Sequence, residues 1–471
     1  MAIQNFRYNT TIKTLLGNEW KVDLRPADSA APSPRDMYLA HDGFTLSYKG
    51  EGEEFTNPLR SSEVSILMTV TNQDDEDFIN SIATDQDQKA VIELFKKEGA
   101  LYPSYWLGYV WIDTLKMSYG GFPYTVKIAA SDSIARFKKY TGFTYNSGTV
   151  WGYFQQVFGN YSPLGAIGQS GNVSLSATSM GGNQKIRWAS RYWTSGLAAY
   201  ENFWYKLSTS FSGNATDINT LHNRLDTVSD WLKIWNFRVF LEDGFYKILE
   251  FRHQSEGTVN WIDHDTDGVP VSGTTVEVLD VNSGNLNKIL DGGIYFFKRP
   301  ARGSELTYYD TAPSISSPPA TTTDSLDFQV DGADSINNDL LENNFGEIWT
   351  RILQYNNGVD PASDVTNRVS IDEGVTLHDI NYYFQENQDW LYSLPQKYFN
   401  GTIRSANYKF SNTLILANER YICNAATLTA SSDEWQGEWV KVADLDETPL
   451  LSQNADAEID TQTGLTNLKT Q

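Results

Sequence analysis

Three carboxylates at alternate positions, closed by a glycine, stand in the run Asp263-His264-Asp265-Thr266-Asp267-Gly268. This D-x-D-x-D-G spacing can set Asp263, Asp265 and Asp267 around one hard cation such as Ca²⁺, with the glycine permitting the sharp turn. The twelfth position of the loop is Thr274, where a helix-flanked calcium loop carries a bidentate Glu, and Glu277 comes three residues later. The run is therefore a candidate for weak Ca²⁺ binding, and its alternative reading is a plain acidic turn. No other cofactor is indicated. The sole cysteine, Cys423, leaves no intramolecular disulfide and no multi-cysteine metal site. It lies in the apolar stretch Tyr421-Ile422-Cys423-Asn424 with no histidine nearby in sequence to activate it, which reads as a buried structural thiol. The five histidines, His41, His222, His253, His264 and His378, are scattered, with no two at metal-ligand spacing.

Signatures of catalysis are missing from the linear sequence. There is no G-x-x-x-x-G-K-[ST] phosphate loop, no H-E-x-x-H zinc helix and no G-x-S-x-G nucleophile elbow. Carboxylates brought together only in space could still form a pair, but 59 acidic residues make chance pairs common. The chain reads as a non-enzyme. Its 36 Lys and Arg against 59 Asp and Glu give a formal net charge of −23. That balance argues against a nucleic-acid binder, which must neutralise phosphates, and against a polybasic membrane anchor. No apolar run reaches membrane-spanning length, and Met1 to Arg7 carries no signal-peptide pattern, so folding in a cytoplasm is the expectation.

Residues of this kind need elements to hold them. Of the 471 residues, 13% are aromatic (14 Trp, 26 Tyr, 23 Phe) and 34 are Gly, a composition that fits a mainly β chain with many turns. The aromatics read as core, or as contact surface where exposed. Alternating apolar residues predict strands over Gly43 to Tyr48, Glu63 to Val70 and Pro123 to Ala130, the second ending at the acidic cluster Asp74 to Asp77. Ala90 to Lys96 fits helix or strand, and Tyr105 to Asp113 after the Glu98-Gly99 break favours a hairpin. Thr149 to Phe158 and Leu225 to Trp235 place apolar residues at helical spacing, with a Gly- and Ser-rich loop from Asn160 to Gly182 between them. The strongest local signal is Phe237 to Glu242, Asp243-Gly244, then Phe245 to Phe251, two strand-like runs joined by an Asp-Gly turn. Later come a low-complexity loop at 311–325 and strand-like Tyr408 to Phe410 and Thr413 to Leu416.

These elements predict a mainly β chain with an α+β insertion, built as small antiparallel β-barrel domains. The boundaries read as a barrel-like domain over 1–140, an α+β domain over 141–262, and a second β domain over 263–447. A tail over 448–471, without aromatic residues, is expected to be ordered only by a partner.

Three segments in this order resemble one family. Tyr105-Trp106-Leu107-Gly108-Tyr109-Val110-Trp111-Ile112-Asp113, followed by Pro123-Tyr124-Thr125-Val126-Lys127-Ile128-Ala129-Ala130-Ser131-Asp132-Ser133-Ile134-Ala135, is similar to a stretch of the tail-hub proteins of long-tailed bacteriophages. Ser133 stands where those proteins usually carry glycine. Thr227 to Tyr246 resembles their helix and D-G hairpin, and Phe399-Asn400-Gly401-Thr402-Ile403 with Ala425 to Ala430 and Asp433-Glu434-Trp435 resembles a third stretch. The matches run discontinuously from about residue 60 to 440.

The resemblance implies a structural virion protein in the tail tip or baseplate. It would be a homotrimeric hub with two small β-barrels per subunit in a pseudo-sixfold ring. Its partners would be the tube or distal-tail protein on one side and the spike or tip fibre on the other. DNA would pass without specific binding, and assembly would take place in the bacterial host cytoplasm. An acidic lumen would repel sliding DNA. Two alternatives remain open: a carbohydrate-binding tail adhesin, with Tyr192-Trp193 and Phe203-Trp204-Tyr205 as stacking candidates, and a tail-associated cell-wall hydrolase.

Overall fold

The structure, a computed structural model, describes residues 5–27, 32–50, 57–84, 90–117, 120–132, 134, 147–149, 186–189, 204–206, 232, 236–264, 270–276, 278–280, 288–290, 293–298, 303–309, 321–327, 352–353, 368–369, 378–379, 390 and 396–444. The N-terminal half opens with β1 (Phe6–Lys13), β2 (Glu19–Pro26), β3 (Ser33–Asp36), β4 (Tyr38–Gly50) and β5 (Arg60–Val70). Helix α1 (Gln73–Thr84) precedes β6 (Ala90–Lys96), β7 (Ser104–Val110), β8 (Lys116–Met117) and β9 (Tyr124–Ser131). Short strands β10 (Ser147–Thr149), β11 (Ile186–Ala189) and β12 (Trp204–Lys206) lead to the hairpin β13 (Phe237–Glu242) and β14 (Phe245–Glu250). The short helix Phe251–Ser255 follows, then β15 (Thr258–His264), β16 (Pro270–Val276), β17 (Val278–Asp280), β18 (Lys288–Ile289), β19 (Ile294–Lys298), β20 (Gly303–Tyr309) and β21 (Thr321–Asp327). The chain continues through β22 (Ile352–Leu353), β23 (Arg368–Val369), β24 (His378–Asp379), β25 (Gln396–Arg404), β26 (Thr413–Leu416), β27 (Glu419–Thr429) and β28 (Glu434–Asp444).

The chain is mainly β, as its composition predicts. The largest sheet runs β18-β25-β28-β27-β4-β5-β9-β7-β6-β2-β1-β3, with β19 also on β25. Among the described strands this path stays open at both ends, so the small closed barrels expected from the sequence do not appear in the pairing. The junction β27–β4, with Leu428 opposite Leu46, carries the sheet from residues 419–429 straight to residues 38–50. A second sheet, β13-β14-β11-β15-β16, contains the predicted hairpin.

Period-two burial explains why these segments become strands. Along β5 every second residue is buried, with Val64, Ile66, Met68 and Val70 facing the core. In β6, β13 and β14 nearly every residue is buried, since both faces are covered. Three local readings change. The acidic cluster after β5 begins helix α1: Asp75 N–H donates to Asn72 Oδ1 (3.0 Å), and Asp75 Oδ2 accepts from Thr71 N–H (2.9 Å). Three acidic residues in the first turn suit the helix dipole, and Phe78, Ile79 and Ile82 are buried. Tyr408 to Phe410 alternates like a strand but is loop, because its main-chain donors go to side chains. Lys409 N–H donates to Asn412 Oδ1 (2.6 Å) and Phe410 N–H to Glu242 Oε1 (2.6 Å). Thr321 to Thr323, read as loop, pair in β21 against β20, where β-branched threonine suits the pleat. Of the predicted helix over Leu225 to Trp235 only Leu232 is described, and it is buried. The predicted helix of Thr149 to Phe158, apart from Thr149 at the end of β10, and the loop Asn160 to Gly182 lie outside the described residues, as does the tail 448–471.

Candidate functional site

The D-x-D-x-D-G run spans the end of β15 and the link to β16. Asp263 sits in β15, opposite Val271 on one side and Arg187 on the other, and His264 faces Pro270. Asp265 and Asp267 lie outside the described residues. Among the described residues no three His, Cys, Asp or Glu side chains cluster as a metal site. Of the stacking candidates, Trp204 and Tyr205 lie in β12, and Tyr192, Trp193 and Phe203 lie outside the described residues.

Chemistry-bearing side chains converge instead on the β13–β14 hairpin, which the sequence marked only as a turn. Asp243 and Gly244 have φ of 53° and 75°, the positive values a type I′ turn requires. Gly244 N–H donates to Tyr105 O (2.8 Å), tying the turn to β7. On the neighbouring strand, Val239 N–H donates to Pro58 O (2.7 Å). The hairpin is therefore clasped by the N-terminal half along one side.

Its other side faces the C-terminal half. Lys247 Nζ, fully buried, donates to Glu242 Oε2 (2.8 Å), Asp243 Oδ2 (2.8 Å) and Ser411 Oγ (3.3 Å). Lys409 Nζ reaches the same Asp243 Oδ2 (2.8 Å). Burial by itself would raise the Asp243 carboxyl, but the two ammonium groups hold it well below the usual carboxylate range. Arg238, also fully buried, donates from Nη1 to Cys423 O (2.5 Å) and from Nη2 to Gln254 Oε1 (2.5 Å) and Phe410 O (3.3 Å). Its guanidinium lies 4.7 Å from the Phe410 ring centroid. Burial pulls Arg238 down to about 10, and burial with the nearby Arg238 charge pulls Arg60 down to about 9. Both stay cationic at neutral pH. Cys423 is fully buried, and burial pushes its thiol up to about 12, which leaves no thiolate for catalysis.

A second buried knot joins β5, β7 and β9. Asp132 Oδ2 accepts from Ser62 N–H (2.7 Å) and Ser62 Oγ (2.6 Å), and Oδ1 accepts from Ile134 N–H (3.0 Å). Trp106 Nε1 donates to Ser62 Oγ (2.7 Å), and Tyr246 OH from the hairpin donates to Asp132 O (3.0 Å). Burial raises the Asp132 carboxyl to about 7. Chemically, both knots act as clamps: apart from Arg238 Nε, which is buried without a hydrogen-bond partner, the side-chain groups named above are engaged with protein partners in the core. Sequence reading missed them because their members are up to 185 residues apart, as Arg238 and Cys423 are. The only linear hint was a charged Arg238 and Lys247 set inside otherwise apolar strand patterns.

No protein-family model and no curated protein matches the sequence. Among solved structures, the chain is similar to the 43 kDa tail protein of prophage MuSo2 from Shewanella oneidensis, with 11% identity, a TM-score of 0.34, and 90% of this chain and 98% of that chain covered. It is also similar to the tail protein from Neisseria meningitidis MC58, with 8% identity, a TM-score of 0.39, and 91% and 98% covered. Likeness at this level assigns no function to the chain.

Proposed function

We propose that the chain is a structural protein of a bacteriophage tail, serving as the hub that joins the tail tube to the spike or tip fibre. One observation carries this reading. Two of the sequence segments that resemble tail-hub proteins, far apart in the chain, meet at the β13–β14 hairpin, which also bonds to the strand that leads into the third. Tyr105 O and Asp132 O receive hydrogen bonds from Gly244 N–H and Tyr246 OH, and Cys423 O, beside the third segment, receives one from Arg238. A resemblance made of chance matches has no reason to assemble into one contact. The role is mechanical: buried charges lock the halves together, and the subunit acts through its surfaces. A homotrimeric ring, placement at the tail tip and unhindered passage of DNA belong to this proposal.

Electron microscopy of tailed particles labelled for this chain tests it. Three copies at the tube end, in a ring with threefold symmetry, are expected. Six copies in a ring would point to a distal-tail protein, a position on peripheral fibres to an adhesin, and clearing on a peptidoglycan gel to a hydrolase.

A further inference from the structure

Buried cations elsewhere in this core meet carboxylates. Arg25 Nη2 donates to Glu93 Oε2 (2.7 Å), and Lys247 Nζ donates to Glu242 and Asp243 at 2.8 Å each. Arg238 is different. It is fully buried, and its three acceptors, Cys423 O, Gln254 Oε1 and Phe410 O, are all uncharged. Among the described residues it makes no ion pair.

The carboxylates of this contact are committed to other donors. Glu242 shares a face of β13 with Arg238, but its Oε2 takes Lys247 and its Oε1 takes Phe410 N–H (2.6 Å). Asp243 holds Lys247 and Lys409, and Glu438 Oε1 takes Asn424 Nδ2 (2.6 Å). A second buried guanidinium, Arg60, adds positive charge close by, where the Arg238 charge acts on it.

Three rings wall the Arg238 guanidinium, with the centroids of Phe410, Phe240 and Phe251 at 4.7, 5.4 and 5.4 Å. Their faces offset part of its charge but leave one donor over. Arg238 Nε is buried without a hydrogen-bond partner. A buried donor without an acceptor and a buried cation without an anion are each unfavourable, and here both fall on one group. A water molecule would supply the acceptor without the charge. A monatomic anion supplies both. A phosphate or sulfate calls for several donors, and phenyl walls provide none.

We propose that one halide-class anion, such as chloride, binds beside Arg238 Nε in the contact between the β13–β14 hairpin and the C-terminal half, as a structural counter-ion. Because the site is closed, the ion is taken up as the chain folds, and stability depends on its concentration. The inference is independent of the hub reading, since it rests on the buried guanidinium alone.

Urea denaturation of the purified full-length chain tests the site, with sodium gluconate exchanged for sodium chloride at constant ionic strength. Urea is used because guanidinium chloride would itself supply the ion. A ligand held only by the folded chain raises the ratio of folded to unfolded protein about tenfold for each tenfold rise in its concentration above Kd. The wild type is expected to follow that dependence, with bromide able to replace chloride. Arg238→Met removes both Nε and the charge and is expected to abolish it. A wild type indifferent to the exchange of anions, or an Arg238→Met chain with the same dependence as the wild type, overturns the proposal. Should Arg238→Met fail to fold, anomalous diffraction from wild-type crystals grown in bromide decides. A bromide peak beside Arg238 Nε supports the site, and the absence of one there overturns it.

Discussion

Cys423 sits in β27 with its thiol held up to about 12 by burial, while its carbonyl oxygen takes a hydrogen bond from Arg238. The native chain should therefore resist thiol reagents and become reactive only on unfolding, so labelling of the single cysteine reports global opening. Rapid labelling of the native state would contradict the burial. Arg238 is expected to be among the most sensitive positions. Arg238→Met leaves Cys423 O and Gln254 Oε1 without their donor in a sealed site, and each buried acceptor left unsatisfied costs about 1–3 kcal/mol. Arg238→Lys should not restore stability, because an ammonium cannot reproduce the planar fork. Chemical denaturation of both variants checks this. Asp132 sets a pH dependence. Its carboxyl lies near 7 in the folded chain and at 3.8 ordinarily, so between those values the folded chain holds the additional proton. Stability should fall as pH rises from about 4 to about 7, and Asp132→Asn should flatten that slope in melts recorded across the range.

At the scale of elements, the β13–β14 turn is the most exacting. Gly244 has φ of 75°, and a Cβ there would lie 2.6 Å from Ser104 O. Gly244→Val therefore combines left-handed strain of about 1–2 kcal/mol with a collision against β7 backbone. A markedly lower melting temperature is expected, and an unchanged one would refute the turn. The same hairpin shows why some elements are legible in sequence and others are not. Asp243-Gly244 between two apolar runs is a local code, because the turn conformation is decided by its own residues. Tyr408 to Phe410 has an equally regular alternation yet forms no strand. Its pattern reflects two rings packed inward while Glu242, more than 160 residues away, takes the Phe410 N–H. The α1 start was written in the sequence as Asn72 ahead of three acids, a capping signal that the charge run obscured.

At the scale of the molecule, the hub reading predicts a homotrimer in assembled particles whose contacts come from the β domains. Residues 448–471 contain no aromatic residue, too little apolar surface to offset an ordering entropy of about 1–2 kcal/mol per residue without help. Their removal is expected to leave the melting temperature unchanged and to weaken assembly with the next tail component. Co-sedimentation of the truncated chain with that component measures the effect, and undiminished binding would contradict it.

The sequence by itself determined the β class, the long strands β4, β5 and β9, the hairpin turn and the absence of linear catalytic motifs. Each of these depends on residue type and on spacing within a few positions. Only the tertiary structure decided that residues 38–50 and 419–429 lie side by side in one sheet, which among the described strands is open at both ends. It alone gave Arg238, Lys247 and Asp132 their clamping roles. Strand pairing between distant segments rewards contacts that no short window contains, and a buried charge takes its meaning from whichever partners the folded chain brings to it.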